Sequence, residues 1–170
     1  MRLYLLRHAE AIPRGAAGYA QDAARPLTDE GRRQARQVAK GLQRLGVPAE
    51  VIAASPYVRA AQTAEEVARV LEPEEPVRTL EALRAEAKPR ETSAALVALS
   101  PHDHVVLVGH EPHLSAWLAE LVSGEDSLRC VFKKGGVACV EVARVPPPRG
   151  SGTLRWLMTP KQLGLIGAAP

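Results

Sequence analysis

The sequence predicts an α/β fold: a three-layer sandwich in which a mostly parallel sheet carries helices on both faces, with antiparallel strands near the C-terminus. Two observations support this prediction. Short apolar segments at residues 3–6, 51–54 and 104–108 alternate with longer segments in which apolar residues recur at helical spacing. Residues 104–108 (HVVLV) form the most continuous β-branched run, which is typical of a central parallel strand buried on both faces.

The composition fits a single globular domain over residues 1–170. Hydrophobic residues make up 46% of the chain, too many for a disordered protein. The net charge of +3 comes from scattered arginines, which argues against nucleic acid as a partner. Cys130 and Cys139 form neither a disulfide framework nor a zinc motif. Because we find no signal peptide and no apolar run of ~18 residues, we expect a cytoplasmic protein without a membrane partner.

The first part of the chain is predicted to form a strand, a loop, a helix and a second strand. Residues 3–6 are the first strand, and the prolines and glycines of residues 9–27 indicate a loop. Thr28 is positioned to cap a helix that Gly46 ends. Residues 51–54 then form a short buried strand.

The middle of the chain is predicted to begin with a second helix. Ser55 suits its N-cap, Pro56 suits the first helical position, and the apolar spacing continues to Leu71. We expect a short strand at residues 77–80, followed by a charged loop at residues 81–89.

The remaining elements follow from the same signals. We expect a third helix over residues 89–99 and a fourth over residues 112–122, on either side of the central strand. Residues 136–142 and 153–158 are predicted strands, joined by a loop rich in proline and glycine.

Three strand-to-loop junctions carry cationic or imidazole groups: Arg7 with His8, Arg59, and His110. Ligands of open α/β sheets bind beyond the carboxyl ends of the strands, so we expect these groups at one edge of the sheet. Placed together they repel one another unless an anion lies between them. Arginine binds phosphate oxygens in a bidentate manner, and an unprotonated histidine can attack a phosphoryl group. The pattern indicates phosphoryl transfer in which an acid protonates the leaving group and neither metal nor cofactor is needed.

Four ordered sequence blocks resemble the histidine phosphatase (phosphoglycerate mutase-like) superfamily over nearly the whole chain. They are residues 6–10 (LRHAE), 26–31 (PLTDEG), 55–63 (SPYVRAAQT) and 108–110 (VGH). Ala9 stands where the family usually has glycine. The resemblance implies that His8 becomes phosphorylated during turnover, while Arg7, Arg59 and His110 hold the phosphoryl group.

Within the superfamily, the chain is most similar to the short SixA-type protein-phosphohistidine phosphatases. Residues 132–135 (FKKG), residues 158–163 (MTPKQL) and Arg25 before Pro-Leu-Thr support this closer match. Arg25 either reaches the phosphate or pairs with Asp22 or Asp29, and the sequence does not choose between these roles.

Three possibilities are open for the proton donor. Many members of the superfamily use a glutamate in the loop after the third strand, which Glu81 matches best and Glu86 second best. The third possibility needs no strong acid, because the nitrogen leaving group of phosphohistidine can be protonated beforehand. A metal is not expected: His104 and His110 lie six residues apart on a strand, roughly 20 Å at ~3.3 Å per residue, and cannot share an ion.

We therefore expect a metal-independent phosphatase with a covalent phosphohistidine intermediate. The expected partner is a phosphorylated protein such as a histidine-relay domain, because only residues 72–90 leave room for a lid over the site. A small phosphorylated metabolite, such as a sugar phosphate or α-ribazole phosphate, is the alternative substrate. A non-catalytic module that binds phosphate or a phosphoprotein is the second alternative.

Overall fold

A mixed sheet forms the centre of the structure, a computed structural model that describes residues 1–125 and 128–169. Within these residues the sheet has six strands in the order β3-β2-β4-β1-β5-β6. The strands are β1 (Arg2–Arg7), β2 (Val51–Ala54), β3 (Arg78–Thr79), β4 (His104–Gly109), β5 (Val137–Glu141) and β6 (Thr153–Met158).

Strand direction confirms the predicted α/β class. β4 pairs in parallel with β1 and β2, and β2 pairs in parallel with β3. β5 runs antiparallel to β1, and β6 runs antiparallel to β5. β4 lies between β1 and β2, and Val105 to Val108 are fully buried, as its unbroken apolar sequence predicts.

Helices cover both faces of the sheet because successive strand side chains point to opposite sides. Leu3 and Leu5 of β1 belong to a core that includes Trp117, whereas Tyr4 and Leu6 belong to a second core on the other face. The first core lies under α3 and α4, and the second lies under the remaining helices. The helices are α1 (Asp29–Arg44), α2 (Val58–Leu71), α3 (Pro89–Ala95), α4 (His113–Ser123) and α5 (Pro160–Ala168).

The start of α2 differs from the sequence prediction. The helix begins at Val58 with Tyr57 as N-cap, so Ser55 does not cap it and Pro56 is not its first residue. Tyr57 N–H donates to Ser55 Oγ at 3.3 Å, which forms a turn ahead of the helix. Ser55 Oγ therefore takes part in this turn and does not cap the helix.

The C-terminal helix α5 was not predicted. Its start carries a capping box in which Thr159 and Gln162 bond to each other's backbone, with Pro160 in the first turn. Its glycines weaken the helical signal, but one of them, Gly167, permits close packing against α1, since a Cβ there would lie 2.9 Å from the Gly41 backbone nitrogen. A Cβ placed on Gly41 of α1 would lie 2.3 Å from the Leu163 carbonyl oxygen.

Strand register brings the predicted site to one edge of the sheet. Arg7 is paired with Gly109, and Ala54 is paired with Val108, so β1, β2 and β4 end at the same level. The residues that follow these ends are His8, Ser55 and His110. Their side chains therefore meet beyond the carboxyl edge, where ligands of such sheets bind.

The N-terminus of α1 is fixed to the segment that follows His8. Thr28 Oγ1 accepts from Gly31 N–H at 2.9 Å, and Thr28 N–H donates to the Glu10 carbonyl at 3.1 Å. A Cβ on Gly31 would lie 1.9 Å from the Glu10 carbonyl oxygen, and backbone cannot move aside as a side chain can. Gly31 is therefore required by the close approach of α1 to this segment.

Gly31→Ala is expected to destabilise the protein, although alanine is the better helix former by about 1 kcal/mol. We expect a net loss of about 1–3 kcal/mol in the free energy of unfolding, since the new methyl group overpacks against backbone. Urea denaturation measures this change.

Gly164→Ala in α5 is the matched control, because a Cβ there meets nothing within 4 Å. It is expected to leave the free energy of unfolding equal or slightly higher. A Gly31→Ala protein as stable as the Gly164→Ala protein would contradict the packing explanation.

Candidate active site

A cavity of about 410 Å³ opens at the carboxyl edge of the parallel strands. Five of its lining residues are cationic and two are glutamates, so the cavity favours anions. The lining residues are Arg7, His8, Glu10, Ala11, Pro13, Arg14, Arg25, Arg59, His110, Glu111 and Lys134.

His8 is held in one tautomer by the backbone. Its Nδ1 lies 2.7 Å from the Ala9 carbonyl oxygen, which can only accept, so Nδ1 carries the proton. Nε2 therefore keeps a lone pair, to which Arg59 Nε–H donates at 3.2 Å. Burial, helped by the charges of Arg59 and Arg7, lowers the pKa of His8 to about 3. A neutral imidazole with a free Nε2 lone pair is the form that can attack a phosphoryl group.

His110 lies beside His8, with 5.1 Å between the ring centroids. Its Nε2 is 2.9 Å from Ser55 Oγ, the hydroxyl that already accepts from Tyr57 N–H. When the Ser55 hydroxyl donates to Nε2, the His110 ring proton is on Nδ1, and Nδ1–H is available as a donor. Burial first, and then the charge of His8, lowers the pKa of His110 to about 2. Ser55, expected only to cap a helix, thus holds a site histidine.

Arg59 of α2 connects His8 to the segment that contains Asp22. Its side chain is only 2% exposed, and its Nη2 lies 2.9 Å from Asp22 Oδ2. Nη1 donates to the Asp22 carbonyl at 2.7 Å, so the guanidinium orientation is fixed by three hydrogen bonds. Thr63 Oγ1, one turn along α2, accepts from Ala9 N–H at 3.1 Å and donates to the Arg59 carbonyl at 2.7 Å.

Asp22 organises the arginines on one side of the cavity. Its carboxylate lies 2.9 Å from Arg14, 2.7 Å from Arg25 and 2.9 Å from Arg59. Burial raises the pKa of Asp22, but the hydrogen bond from Arg25 and the three positive charges outweigh it and lower the value to about 2. Arg25 thus pairs with Asp22 and not with Asp29, and it also lines the cavity.

Arg7 lines the same cavity and is held by a different partner. Its Nη1 donates to the Phe132 carbonyl at 2.6 Å, which orients the guanidinium. Burial lowers the pKa of Arg7, and the carboxylate of Glu111 opposes this shift.

Three buried side-chain atoms lack a hydrogen-bond partner among the described residues, and all three belong to residues that line this cavity. They are Arg7 Nε, His110 Nδ1 and Glu111 Oε1. An unpaired buried polar atom lowers the stability of the fold by about 1–3 kcal/mol. The clustering of three such atoms in one cavity indicates a place where a ligand forms hydrogen bonds with them. The two nitrogen atoms suit phosphoryl oxygens, since both can donate.

The two predicted proton donors do not line this cavity. Glu81 is 65% exposed and pairs with Arg84 at 2.6 Å. Glu86 accepts from the Tyr57 hydroxyl at 2.9 Å and lines a neighbouring cavity. The carboxylates that do line the His8 cavity are Glu10 and Glu111, neither of which was a predicted site residue.

The other histidines serve contacts elsewhere. His104 Nδ1 lies 3.2 Å from the Tyr4 hydroxyl, and His113 Nε2 lies 2.9 Å from Thr92 Oγ1. In the part of the chain that the structure describes, no three His, Cys, Asp or Glu side chains are grouped to hold a metal ion. Over the same residues, no helix is long and apolar enough to cross a membrane.

Comparison with known proteins identifies the family of this chain. Residues 3–87 match the family model of the histidine phosphatase superfamily (branch 1). The chain is 38% identical to an uncharacterised protein of Picosynechococcus sp. over 81% of this chain and 82% of the relative. It is 31% identical to the phosphohistidine phosphatase SixA of Escherichia coli K12, with 99% of each chain covered.

The solved structures agree. The structure of the protein histidine phosphatase SixA complexed with tungstate matches with a TM-score of 0.81 and 32% identity, covering 96% of this chain and 99% of that one. Both the sequence and the fold are therefore shared over almost the full length of these relatives. The chain belongs to the histidine phosphatase superfamily, branch 1, and is a phosphatase.

Proposed function

We propose that this phosphatase removes the phosphoryl group from phosphohistidine in a protein, through a phosphohistidine intermediate on His8. The observation that carries the proposal is the state of His8. It is neutral, its Nδ1 proton is bound by the Ala9 carbonyl, and its Nε2 lone pair lies in a cavity lined by cations. That combination supplies a nucleophile and a binding site for the anionic group it attacks.

The reaction has two half-reactions. His8 Nε2 attacks the phosphorus atom, the N–P bond forms, and the substrate's bond to phosphorus breaks. Arg7, Arg59 and His110 donate hydrogen bonds to the phosphoryl oxygens and stabilise the charge of the transition state. Water then attacks the phosphorus of phospho-His8, which releases phosphate and restores the neutral imidazole.

Arg59 changes partner during the first half-reaction. Its Nε–H donates to the same Nε2 lone pair that attacks phosphorus, at 3.2 Å. Once that lone pair is committed to the N–P bond, the Nε–H donates to a phosphoryl oxygen instead. Asp22 keeps the remaining Arg59 donors in place, so this exchange needs little movement of the guanidinium.

Two features support a protein substrate. A second cavity of about 490 Å³ shares Arg14 and Arg25 with the His8 cavity and is walled by Tyr57 and Glu86. The site thus continues past the phosphate position, with room for residues beside a phosphorylated side chain. The phosphohistidine phosphatase SixA of E. coli is 31% identical to this chain from end to end.

Assay with a phosphorylated histidine-relay domain, an aryl phosphate and a panel of metabolite phosphates tests this function. We expect the phosphorylated domain to give the highest kcat/KM. His8→Ala is expected to lower turnover of every substrate by at least about 10³, because no other group takes over the nucleophile's role.

His104→Ala is the control, since His104 lies outside the cavity. It is expected to leave turnover of all substrates near the wild-type rate. A strong preference for one metabolite would overturn the protein-substrate proposal, and turnover retained by His8→Ala would overturn the mechanism.

The buried neutral histidines also predict how stability depends on pH. In the unfolded chain His8 titrates near 6.5, whereas its pKa in the folded protein is about 3. As pH falls below 6.5 the unfolded state gains the proton first, so stability is lost between about pH 6.5 and 3. His8 is therefore expected to lower the free energy of unfolding by about 2 kcal/mol at pH 5 relative to pH 7.5.

Chemical denaturation of wild type and His8→Gln at the two pH values measures this contribution. The decrease in stability from pH 7.5 to 5 is expected to be smaller in the variant by about 2 kcal/mol. Equal decreases in the two proteins would show that His8 is not held neutral by the fold.

A further inference from the structure

We propose that Glu111 is the proton donor of the first half-reaction and the proton acceptor of the second. The inference rests on the proposed phosphatase mechanism and assigns the group that the sequence left open. Glu111 follows His110 directly and lines the same cavity as His8, Arg7 and His110.

The Glu111 carboxyl group is fixed at one oxygen. Ser115 Oγ–H donates to Oε2 at 2.6 Å, and Ser115 lies in the first turns of α4. This bond anchors the side chain from the helix that follows β4. A proton donor needs such anchoring, because transfer requires a fixed distance to the leaving atom.

The second oxygen, Oε1, is buried and has no partner among the described residues. It differs chemically from the other two unpaired atoms of the cavity. Arg7 Nε and His110 Nδ1 can donate to phosphoryl oxygens, whereas an ionised Oε1 would repel them. Oε1 can pair with a bound substrate by accepting a hydrogen bond from it or, in the acid form of Glu111, by donating its proton. The atoms that gain or lose a proton in the reaction are the leaving atom and the attacking water.

The remaining carboxylates are less suited to this task. Glu10 lines the cavity, but among the described residues none hydrogen-bonds to its carboxylate. Asp22 is committed to three arginines, which keep it ionised. Glu81 and Glu86 line other cavities. Glu111 is thus the one described carboxyl group that is in the His8 cavity, anchored and unpaired at one oxygen.

Protons are conserved over the two half-reactions. In the first half-reaction His8 Nε2 forms the N–P bond, the bond from phosphorus to the leaving atom breaks, and that atom takes the proton of the Glu111 carboxylic acid. In the second, water attacks phospho-His8 and gives a proton to the Glu111 carboxylate. The N–P bond breaks, phosphate leaves, and both His8 and Glu111 return to their starting states.

This role predicts a dependence on the leaving group. An alkoxide is a poor leaving group and needs a proton as the bond breaks, whereas 4-nitrophenolate leaves without one. The imidazole of phosphohistidine depends less on a donor, because protonation of its other ring nitrogen lets it leave as neutral imidazole. Loss of the donor therefore harms alkyl phosphates most and 4-nitrophenyl phosphate least.

Glu111→Gln tests the proposal, because the amide oxygen can still accept from Ser115 while the acid is lost. The readout is the rate of leaving-group release in a single turnover, which isolates the first half-reaction. We expect a decrease of about 10² or more for an alkyl phosphate and of less than about fivefold for 4-nitrophenyl phosphate. Glu10→Gln removes the same charge from the same cavity and is expected to affect both substrates by the same factor.

The outcomes are distinct. If Glu111→Gln lowers the rate of leaving-group release equally for both substrates, Glu111 only positions its neighbours. That result would overturn the proposal. A leaving-group dependence in Glu10→Gln instead would assign the donor to Glu10 and overturn it as well. Retained release in His8→Ala, assayed alongside, would overturn the underlying His8 mechanism rather than the choice of Glu111.

Discussion

The hydrogen bond between His8 Nδ1 and the Ala9 carbonyl is the interaction on which the site depends. At 2.7 Å it places the ring proton on Nδ1 and leaves the Nε2 lone pair in the cavity. Ala9 is itself held, because its N–H donates to Thr63 Oγ1 on α2. The same helix carries Arg59, whose Nε–H meets His8 Nε2. The tautomer of His8 and the position of its cationic neighbour Arg59 are thus set by one connection between the segment after β1 and α2.

A cluster of cations around this histidine would be unstable without internal compensation. Asp22 supplies part of it by pairing with three arginines, and the Phe132 carbonyl supplies another part by accepting from Arg7. Burial keeps both site histidines neutral, which removes two further charges from the cluster. The arginine donors are therefore already oriented, which is the preorganisation that the proposed phosphoryl transfer requires.

The sequence predicted the fold and the place of the site because both follow from periodicity and strand ends. Arg7 ends β1, His8 and His110 follow strand ends, and Arg59 lies in the first turn of α2. One cavity gathers all four, and their catalytic roles stay predictions. The partners of these residues were harder to predict. Asp22 begins a short 3-10 helix, Asp22–Ala24, within the long connection between β1 and α1, and the path of that connection depends on tertiary contacts. Ser55 bonds to His110 instead of capping α2, and the anchoring of Glu111 by Ser115 depends on where α4 begins.

In the proposed mechanism, Nε2 of His8 is the atom that receives the phosphoryl group. NMR spectroscopy of ¹⁵N-histidine-labelled protein, phosphorylated by substrate and stabilised at alkaline pH, tests it directly. We expect coupling of ³¹P to Nε2 of one histidine, whose Nδ1 keeps its proton. This coupling should be absent in His8→Ala. Coupling to Nδ1, or to a histidine other than His8, would contradict this mechanism.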